Sequence, residues 1–218
     1  MKSYDVIVIG GGHAGCEAAH ASARLGCDTL LVTMKLDGIG QMSCNPAVGG
    51  IGKSHLAREV DALDGLMCLC ADEASLQSRV LNSSKGPAVR ATRIQTCRDA
   101  YKKSMQAKIL NHKNLTILQA TVSSLSFKTN SIKGVVIDTG EIIKSENIVL
   151  TVGTFLGGTI HMGDKKFSAG RAGDKSSDAL QKYFLDQGFE IGRLKTGTPP
   201  RISTNSIDFA NLERQDSD

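Results

Sequence analysis

The feature that most constrains this fold is a glycine-rich run near the start of the chain, Gly10-Gly11-Gly12-His13-Ala14-Gly15. It follows the apolar run Val6–Ile9 and leads into an alanine-rich stretch that ends before Gly26, which predicts a buried strand, a tight turn and a helix. The three glycines of the G-x-G-x-x-G spacing permit the turn, a close approach of backbone to a pyrophosphate, and tight helix–strand packing. The run therefore predicts a dinucleotide site with its phosphates at the helix N-terminus.

The residues after the second predicted strand, 29–32, depart from the usual dinucleotide pattern. An acidic residue is expected about 20 residues beyond the glycines, where it binds a ribose hydroxyl. This chain has Thr33-Met34-Lys35 there, and Asp37 only further along. We expect either that the ribose is held in another way or that Asp37 reaches back from its loop.

The bulk composition is that of an ordinary globular protein. With 218 residues, the chain is long enough for one large domain or two small ones. No apolar run approaches the length of a membrane span, and the start is a strand rather than a leader. We therefore expect a cytoplasmic protein with no membrane partner, or one of an organelle matrix if a leader has been lost. Its six cysteines show neither zinc spacing nor a C-x-x-C pair, which predicts reduced, mostly buried thiols and no metal site.

A cluster of positive charge occupies the segment 79–103. The net charge of +4 does not by itself indicate nucleic-acid binding. The clustered cations are Arg79, Lys85, Arg90, Arg93, Arg98, Lys102 and Lys103. They fit either a solvated helix face or a nucleic-acid contact.

Hydrophobic periodicity predicts helices first and short strands later. Helices are expected over 51–63, with Ile51, Leu56, Val60 and Leu63 on one side, and over 92–111, while 66–71 fits a strand or a helix end. Turn signals then separate strands over 115–119, 121–127, 132–138, 141–144 and 148–152. A helix over 177–187 and a strand over 190–195 follow. This order is typical of glutathione-reductase-type flavin domains: an α/β class with a Rossmann-like parallel sheet and a small antiparallel meander at about 121–146.

The segment 43–54 carries the most unusual chemistry. Its end, Gly52-Lys53-Ser54, imitates a phosphate loop, but Ala47 stands where a glycine is needed and no strand directly precedes it, which disfavours an ATPase or GTPase. A lysine at a helix start favours an anionic partner. Cys44 lies in the glycine-rich loop and is either a reactive thiol near Lys53 or an inert one.

Five blocks together resemble the MnmG (GidA) family of tRNA uridine 5-carboxymethylaminomethyl modification enzymes. The resemblance covers essentially all 218 residues. The blocks are residues 10–15, 41–53, 81–93, 170–174 and 192–201.

The resemblance implies an FAD enzyme that modifies C5 of the wobble uridine of tRNA. It implies a methylene group from methylene-tetrahydrofolate, reducing equivalents from NADH, a heterotetramer with the GTPase MnmE, and a homodimer. By the same resemblance, Cys44 takes part in the chemistry. The implied FAD contacts are Gly10, Gly11, Gly12, His13, Ala14, Gly15, Val122 and Ser177. The candidates for tRNA contact are Lys53, Lys85, Arg90 and Arg93.

Members of this family are much longer than 218 residues. The resemblance thus implies an incomplete fold, with an FAD-binding domain over 1–201 and the start of a truncated inserted region over 202–218. Two other functions stay open. One is an FAD- or RNA-binding module without turnover, and the other is a flavoprotein like the folate-dependent tRNA uridine methyltransferase, although residues 44–47 fit MnmG better.

Overall fold

The computed structural model describes residues 3–197 and 199–218. Within these residues lie a four-stranded parallel sheet, two three-stranded antiparallel sheets and a two-stranded hairpin. The strands are β1 (Val6–Ile9), β2 (Thr29–Thr33), β3 (Ala47–Gly49), β4 (Ser75–Leu81), β5 (Ala91–Thr96), β6 (Leu115–Gln119), β7 (Val122–Lys128), β8 (Ser131–Ile137), β9 (Ile142–Lys144), β10 (Ile148–Leu150), β11 (Thr159–Met162) and β12 (Lys165–Ser168). The helices are α1 (His13–Arg24), α2 (Lys53–Ala62), α3 (Leu66–Glu73), α4 (Arg98–Leu110) and α5 (Asp178–Asp186).

The parallel sheet has the strand order β10-β1-β2-β6. It confirms the predicted α/β class and the strand–turn–helix–strand unit at the start of the chain. The chain leaves this sheet after β6, forms the antiparallel meander β7-β8-β9, and returns as β10 beside β1. The meander spans residues 122–144, inside the predicted interval.

The glycine turn brings β1, α1 and the end of β10 into direct contact. Gly10 has φ +110, and a Cβ placed there would lie 2.6 Å from the Thr151 carbonyl oxygen. A Cβ on Gly15 would lie 1.7 Å from the Gly10 carbonyl oxygen. No real side-chain carbon tolerates either separation, so only glycine lets the helix pack this closely on the strand.

Two hydrophobic clusters cover the two faces of the parallel sheet. Successive strand residues point to opposite faces, so Val8 and Leu31 pack on one side and Ile7 and Leu30 on the other. The first cluster contains side chains of α1, α3 and α4: Cys16, Ala19, Leu66, Cys70, Tyr101, Met105 and Ile109. The second contains side chains of the meander and α5: Val122, Val135, Ile137, Ile143 and Leu180.

The antiparallel sheet β3-β5-β4 corrects the predicted long helix over 92–111. Its first part is strand β5, and α4 begins only at Arg98. β-branched residues Thr92, Ile94 and Thr96 recur with period two and suit a central strand, and pairing with β3 and β4 overrides the local helical pattern. The ambiguous segment 66–71 belongs to helix α3.

Helix α2 buries the opposite side from the one that its apolar residues predict. Ser54 and Ala57 are its buried residues, whereas Leu56 is 65% and Leu63 is 73% exposed. The small side chains let α2 approach β3 and β5 closely, and Arg58 Nη2 donates to Thr92 Oγ1 at 2.8 Å. Tertiary packing, not helix amphipathicity, fixes the orientation of α2.

Two further elements differ from prediction near the end of the chain. Strands β11 and β12 form a hairpin that the turn signals did not predict. Residues 190–195, predicted as a strand, have no regular structure. Ser177, the first residue of the predicted helix 177–187, is the N-cap residue of α5, and its hydroxyl makes no capping hydrogen bond.

We expect Glu17→Ala to destabilise the fold by about 1–2 kcal/mol. The Glu17 carboxylate accepts hydrogen bonds from the backbone N–H groups of Leu66 at 3.0 Å and Met67 at 2.6 Å, and so caps α3 from α1. Urea denaturation measures the loss. Glu59→Ala on the exposed surface of α2 is the matched control, and equal midpoints for the two variants would contradict the capping role.

Candidate functional site

A cavity of about 450 Å³ lies at the carboxyl ends of the parallel strands. Its walls include the residues that end or follow β1, β2, β6 and β10, the edge at which open α/β sheets bind ligands. The principal lining residues are 9–13, 32–35, 120–122 and 151–155, together with Arg171, Asp174 and Ser177.

The glycine turn forms one wall of this cavity. Gly10, Gly11, Gly12 and His13 line it, whereas Ala14 and Gly15 lie inside α1 and outside the lining. A Cβ on Gly12 would meet no protein atom within 4 Å, so this position is open. The free N–H groups at the start of α1 can therefore reach an anion in the cavity.

His13 presents a neutral imidazole beside the glycine turn. Burial, followed by the charge of Lys53, lowers the pKa of His13 to about 4. Its ring lies 5.5 Å from the Tyr101 ring, centroid to centroid. Among the described residues, the His13 Nε2 atom and the Tyr101 hydroxyl are buried without a hydrogen-bond partner. At neutral pH His13 thus adds polarity to this wall without adding charge.

Two residues distant in sequence come to the same cavity as the glycine turn. Val122 is the first residue of β7, and Ser177 precedes α5; both are buried and line the cavity. The Ser177 Oγ lies 3.6 Å from the Sδ of Met34, the residue that directly follows β2. The fold therefore gathers Val122, Ser177 and four residues of the glycine run around one space.

Sequence reasoning missed a charged group on the cavity wall, formed by Lys35, Arg171 and Asp174. The Asp174 carboxylate accepts from the Lys35 ammonium and from Arg171, whose Nε lies 2.7 Å from Asp174 Oδ2. Asp37, the acidic residue that the sequence offers for the ribose, has a side chain that is 88% exposed and is paired with Lys102. Two sequence signals pointed to such a group: the missing acid after β2, and the block 170–174, which contains Arg171 and Asp174.

Cys44 is exposed and lies just outside the cavity lining, while its neighbour Ser43 belongs to that lining. Two arginines bind this loop: Arg98 donates to the Cys44 carbonyl oxygen, and so does Arg201 at 3.2 Å. Lys53 Nζ instead donates to the Ala47 carbonyl oxygen at 3.3 Å, and burial lowers its pKa. The structure thus brings two arginine guanidinium groups to the Cys44 backbone, which the sequence did not predict.

The remaining tRNA candidates lie on or beside the sheet β3-β5-β4. Lys85 and Arg90 are exposed in the loop between β4 and β5, where Arg90 Nε donates to the Lys85 carbonyl oxygen at 3.2 Å. Arg93 on β5 lies directly opposite Arg79 on β4. Like charges opposite each other on a sheet are destabilising, and Arg79 Nη1 donates to the Asp216 carbonyl oxygen at 3.0 Å.

Other classes of site received no structural support within residues 3–197 and 199–218. No group of three or more His, Cys, Asp or Glu side chains there is arranged to hold a metal ion. No helix in that part of the chain combines the length and apolar character needed to cross a bilayer. The six cysteines are free thiols, of which Cys16 and Cys70 are buried, and burial raises the pKa of Cys16 to about 12.

This chain is similar to known proteins in both sequence and fold. A family model described as glucose inhibited division protein A matches residues 5–218. The structure of Aquifex aeolicus GidA in the form II crystal is 43% identical, with a TM-score of 0.94, and the match covers 99% of this chain and 36% of that chain. Its form I crystal gives the same identity and TM-score over 100% of this chain and 36% of that chain. This chain thus spans little more than a third of the length of these relatives.

A more distant likeness supports the fold alone. The GidA-related protein from Thermus thermophilus is 22% identical, with a TM-score of 0.65. The match covers 87% of this chain and 70% of that chain.

Proposed function

This chain belongs to the glucose inhibited division protein A family, and from that premise we propose that it is the FAD-binding part of an enzyme that modifies C5 of the wobble uridine of tRNA. The observation that carries the proposal is the cavity at the ends of the parallel strands, with the glycine turn and the start of α1 on its wall. The group added is of the carboxymethylaminomethyl type. The partnership with the GTPase MnmE, the homodimer and the use of NADH and methylene-tetrahydrofolate belong to the same proposal.

The residues around the cavity fit FAD. The open space at Gly12 and the free N–H groups at the start of α1 suit a pyrophosphate. The first turn of α1 has no acidic residue, so no negative charge there repels the phosphates. Val122 starts a strand at the cavity wall, where backbone groups can pair with the edge of an adenine. Ser177 offers a hydroxyl on the same wall. FAD, when bound, would supply the redox chemistry of the reaction.

Cys44 is the proposed reactive group of this chain. A thiolate can add to C6 of uridine, so that an S–C6 bond forms and the C5–C6 π electrons make C5 nucleophilic. After C5 gains its substituent and loses its proton, the S–C6 bond breaks and the thiolate returns. The alternative role is to position the uridine or transfer a proton. The adjacency of Ser43 to the cavity supports either role, because it places Cys44 one residue from the cavity wall.

The cations around the sheet β3-β5-β4 are the proposed tRNA contact. We expect Arg90→Glu/Arg93→Glu to weaken tRNA binding roughly 10-fold or more at low salt and to lower the slope of log K against log salt by about 2. Filter binding over a salt series measures both quantities. Lys113→Glu/Lys128→Glu changes the net charge equally on other exposed surfaces and is the control. The same loss of affinity in both variants would show that Arg90 and Arg93 have no specific role in tRNA binding.

A binding module without turnover is the second candidate, because the chain spans 36% of the length of its solved relatives. Flavin absorbance in the purified protein tests the FAD site, and bleaching by NADH separates the two candidates. Colour that persists with NADH supports the module, whereas bleaching followed by modification of tRNA supports the enzyme.

A further inference from the structure

We propose that Asp174 supplies the carboxylate that dinucleotide-binding folds ordinarily place at the end of the second strand, and that it accepts a hydrogen bond from the ribose of the adenosine half. This inference rests on the proposed function, since it takes the cavity to be a site for FAD. Asp174 lies about 140 positions along the chain from the end of β2, the strand that normally provides the ribose-binding acid.

The position of Asp174 carries the first step of the argument. Residues Thr33, Met34 and Lys35 at the end of β2 offer no carboxylate. The Lys35 ammonium contacts the Asp174 carboxylate and donates to the Gly173 carbonyl oxygen at 3.3 Å. Asp174 thereby lies beside the end of β2, where the ribose-binding acid of such folds is found.

The loop that bears Asp174 is fixed to the cavity by several contacts. Arg171 Nη1 lies 3.4 Å from the Ser43 Oγ, and its guanidinium lies 5.8 Å from the centre of the Phe155 ring. Ser177 closes the other end of the loop against Met34. The carboxylate is therefore held in place before a ligand arrives, which lowers the entropic cost of binding.

Asp174 also keeps the capacity to accept a further hydrogen bond. Its side chain is 10% exposed and lines the cavity. Burial raises its pKa, but the hydrogen bonds from Lys35 and Arg171 outweigh that effect and hold the pKa below its ordinary value. A carboxylate has about four acceptor positions, and Lys35 with the two nitrogens of Arg171 occupies three of them.

The charge balance favours a free ribose hydroxyl over a 2′-phosphate. Lys35 and Arg171 are the cations that would attract a phosphate, and both are already paired with Asp174. A 2′-phosphate would meet the negative charge of that carboxylate, whereas a hydroxyl donates to it.

Calorimetric titration of the purified protein with ADP, 2′-deoxy-ADP and 2′,5′-ADP tests this inference. We expect the unsubstituted protein to prefer ADP over 2′-deoxy-ADP by roughly 10-fold, a typical contribution of a hydrogen bond to a charged group. Asp174→Asn is expected to abolish most of that preference. The matched control is Asp37→Asn, the other acidic residue near β2, which is expected to retain it.

The preference, not the absolute affinity, is the decisive quantity, because a loosened loop would weaken both nucleotides alike. An unchanged preference in Asp174→Asn, or tighter binding of 2′,5′-ADP than of ADP, overturns the inference while FAD binding stands. If the unsubstituted protein binds neither ADP nor FAD, the proposed function is overturned together with the inference. Thermal unfolding of each variant monitors the fold.

Discussion

Gly12→Ala is expected to abolish FAD binding while the protein stays folded. Gly12 has φ −73, which any residue adopts, and a Cβ there meets no protein atom within 4 Å. The added methyl group would instead occupy the space through which a pyrophosphate approaches the backbone. We expect the Kd for FAD to rise at least about 100-fold, or about 2.7 kcal/mol.

The structure supplies a contrasting variant in the same turn. Gly15→Ala would place its Cβ 1.7 Å from the Gly10 carbonyl oxygen, so this variant is expected to lose stability as well as flavin. Flavin absorbance and fluorescence give the stoichiometry of bound FAD, and thermal unfolding gives the stability. Retention of FAD by a folded Gly12→Ala protein would refute the assignment of the cavity as its site.

Cys44→Ser is expected to abolish tRNA modification without changing FAD content. A serine hydroxyl is far less ionised than a thiol at neutral pH, so both nucleophilic addition and proton transfer suffer. Loss of a positioned proton-transfer group costs roughly 10²–10⁴-fold in rate. We expect the modification rate to fall by at least about 10²-fold in a protein of the relatives' length that carries this segment. Mass spectrometry of the product nucleosides measures the rate.

A second thiol variant controls for general effects of cysteine replacement. Cys27→Ser changes a partly exposed cysteine outside the cavity lining and is expected to modify tRNA normally. Single-turnover rates separate the chemical step from tRNA binding. A near-normal rate for Cys44→Ser would make Cys44 dispensable and place the reactive group elsewhere in the longer protein.

Arg98 and Arg201 give the role of Cys44 a structural context that its sequence neighbours did not indicate. Both donate to the Cys44 carbonyl oxygen, and Arg171 approaches the preceding serine. These arginines come from three separate parts of the chain. Lys53, the cation that the sequence predicts near the thiol, donates to the Ala47 carbonyl oxygen three residues from Cys44.

Local sequence by itself determined the first βαβ unit, the meander and the glycine turn. Each follows from short-range rules: the buried apolar run Val6–Ile9, glycines where Cβ atoms have no room, and turn residues between strands. Residues near one another in sequence carry all of this information. The same rules therefore also predicted the wall of the cavity formed by residues 10–13.

Tertiary structure alone decided the features that depend on distant partners. Strand β5 pairs with β3 and β4, and this pairing decides between its period-two β-branched residues and the helix predicted over 92–111. Helix α2 turns Ser54 and Ala57 inward although Leu56 and Leu63 are more apolar. Asp174 reaches the end of β2 from a loop far along the chain. Sheet pairing, close packing and long-range ion pairs are contacts between remote residues, so their free energy has no local sequence signature. The sequence thus determined where a dinucleotide is expected, and the tertiary structure decided which side chains line the cavity there.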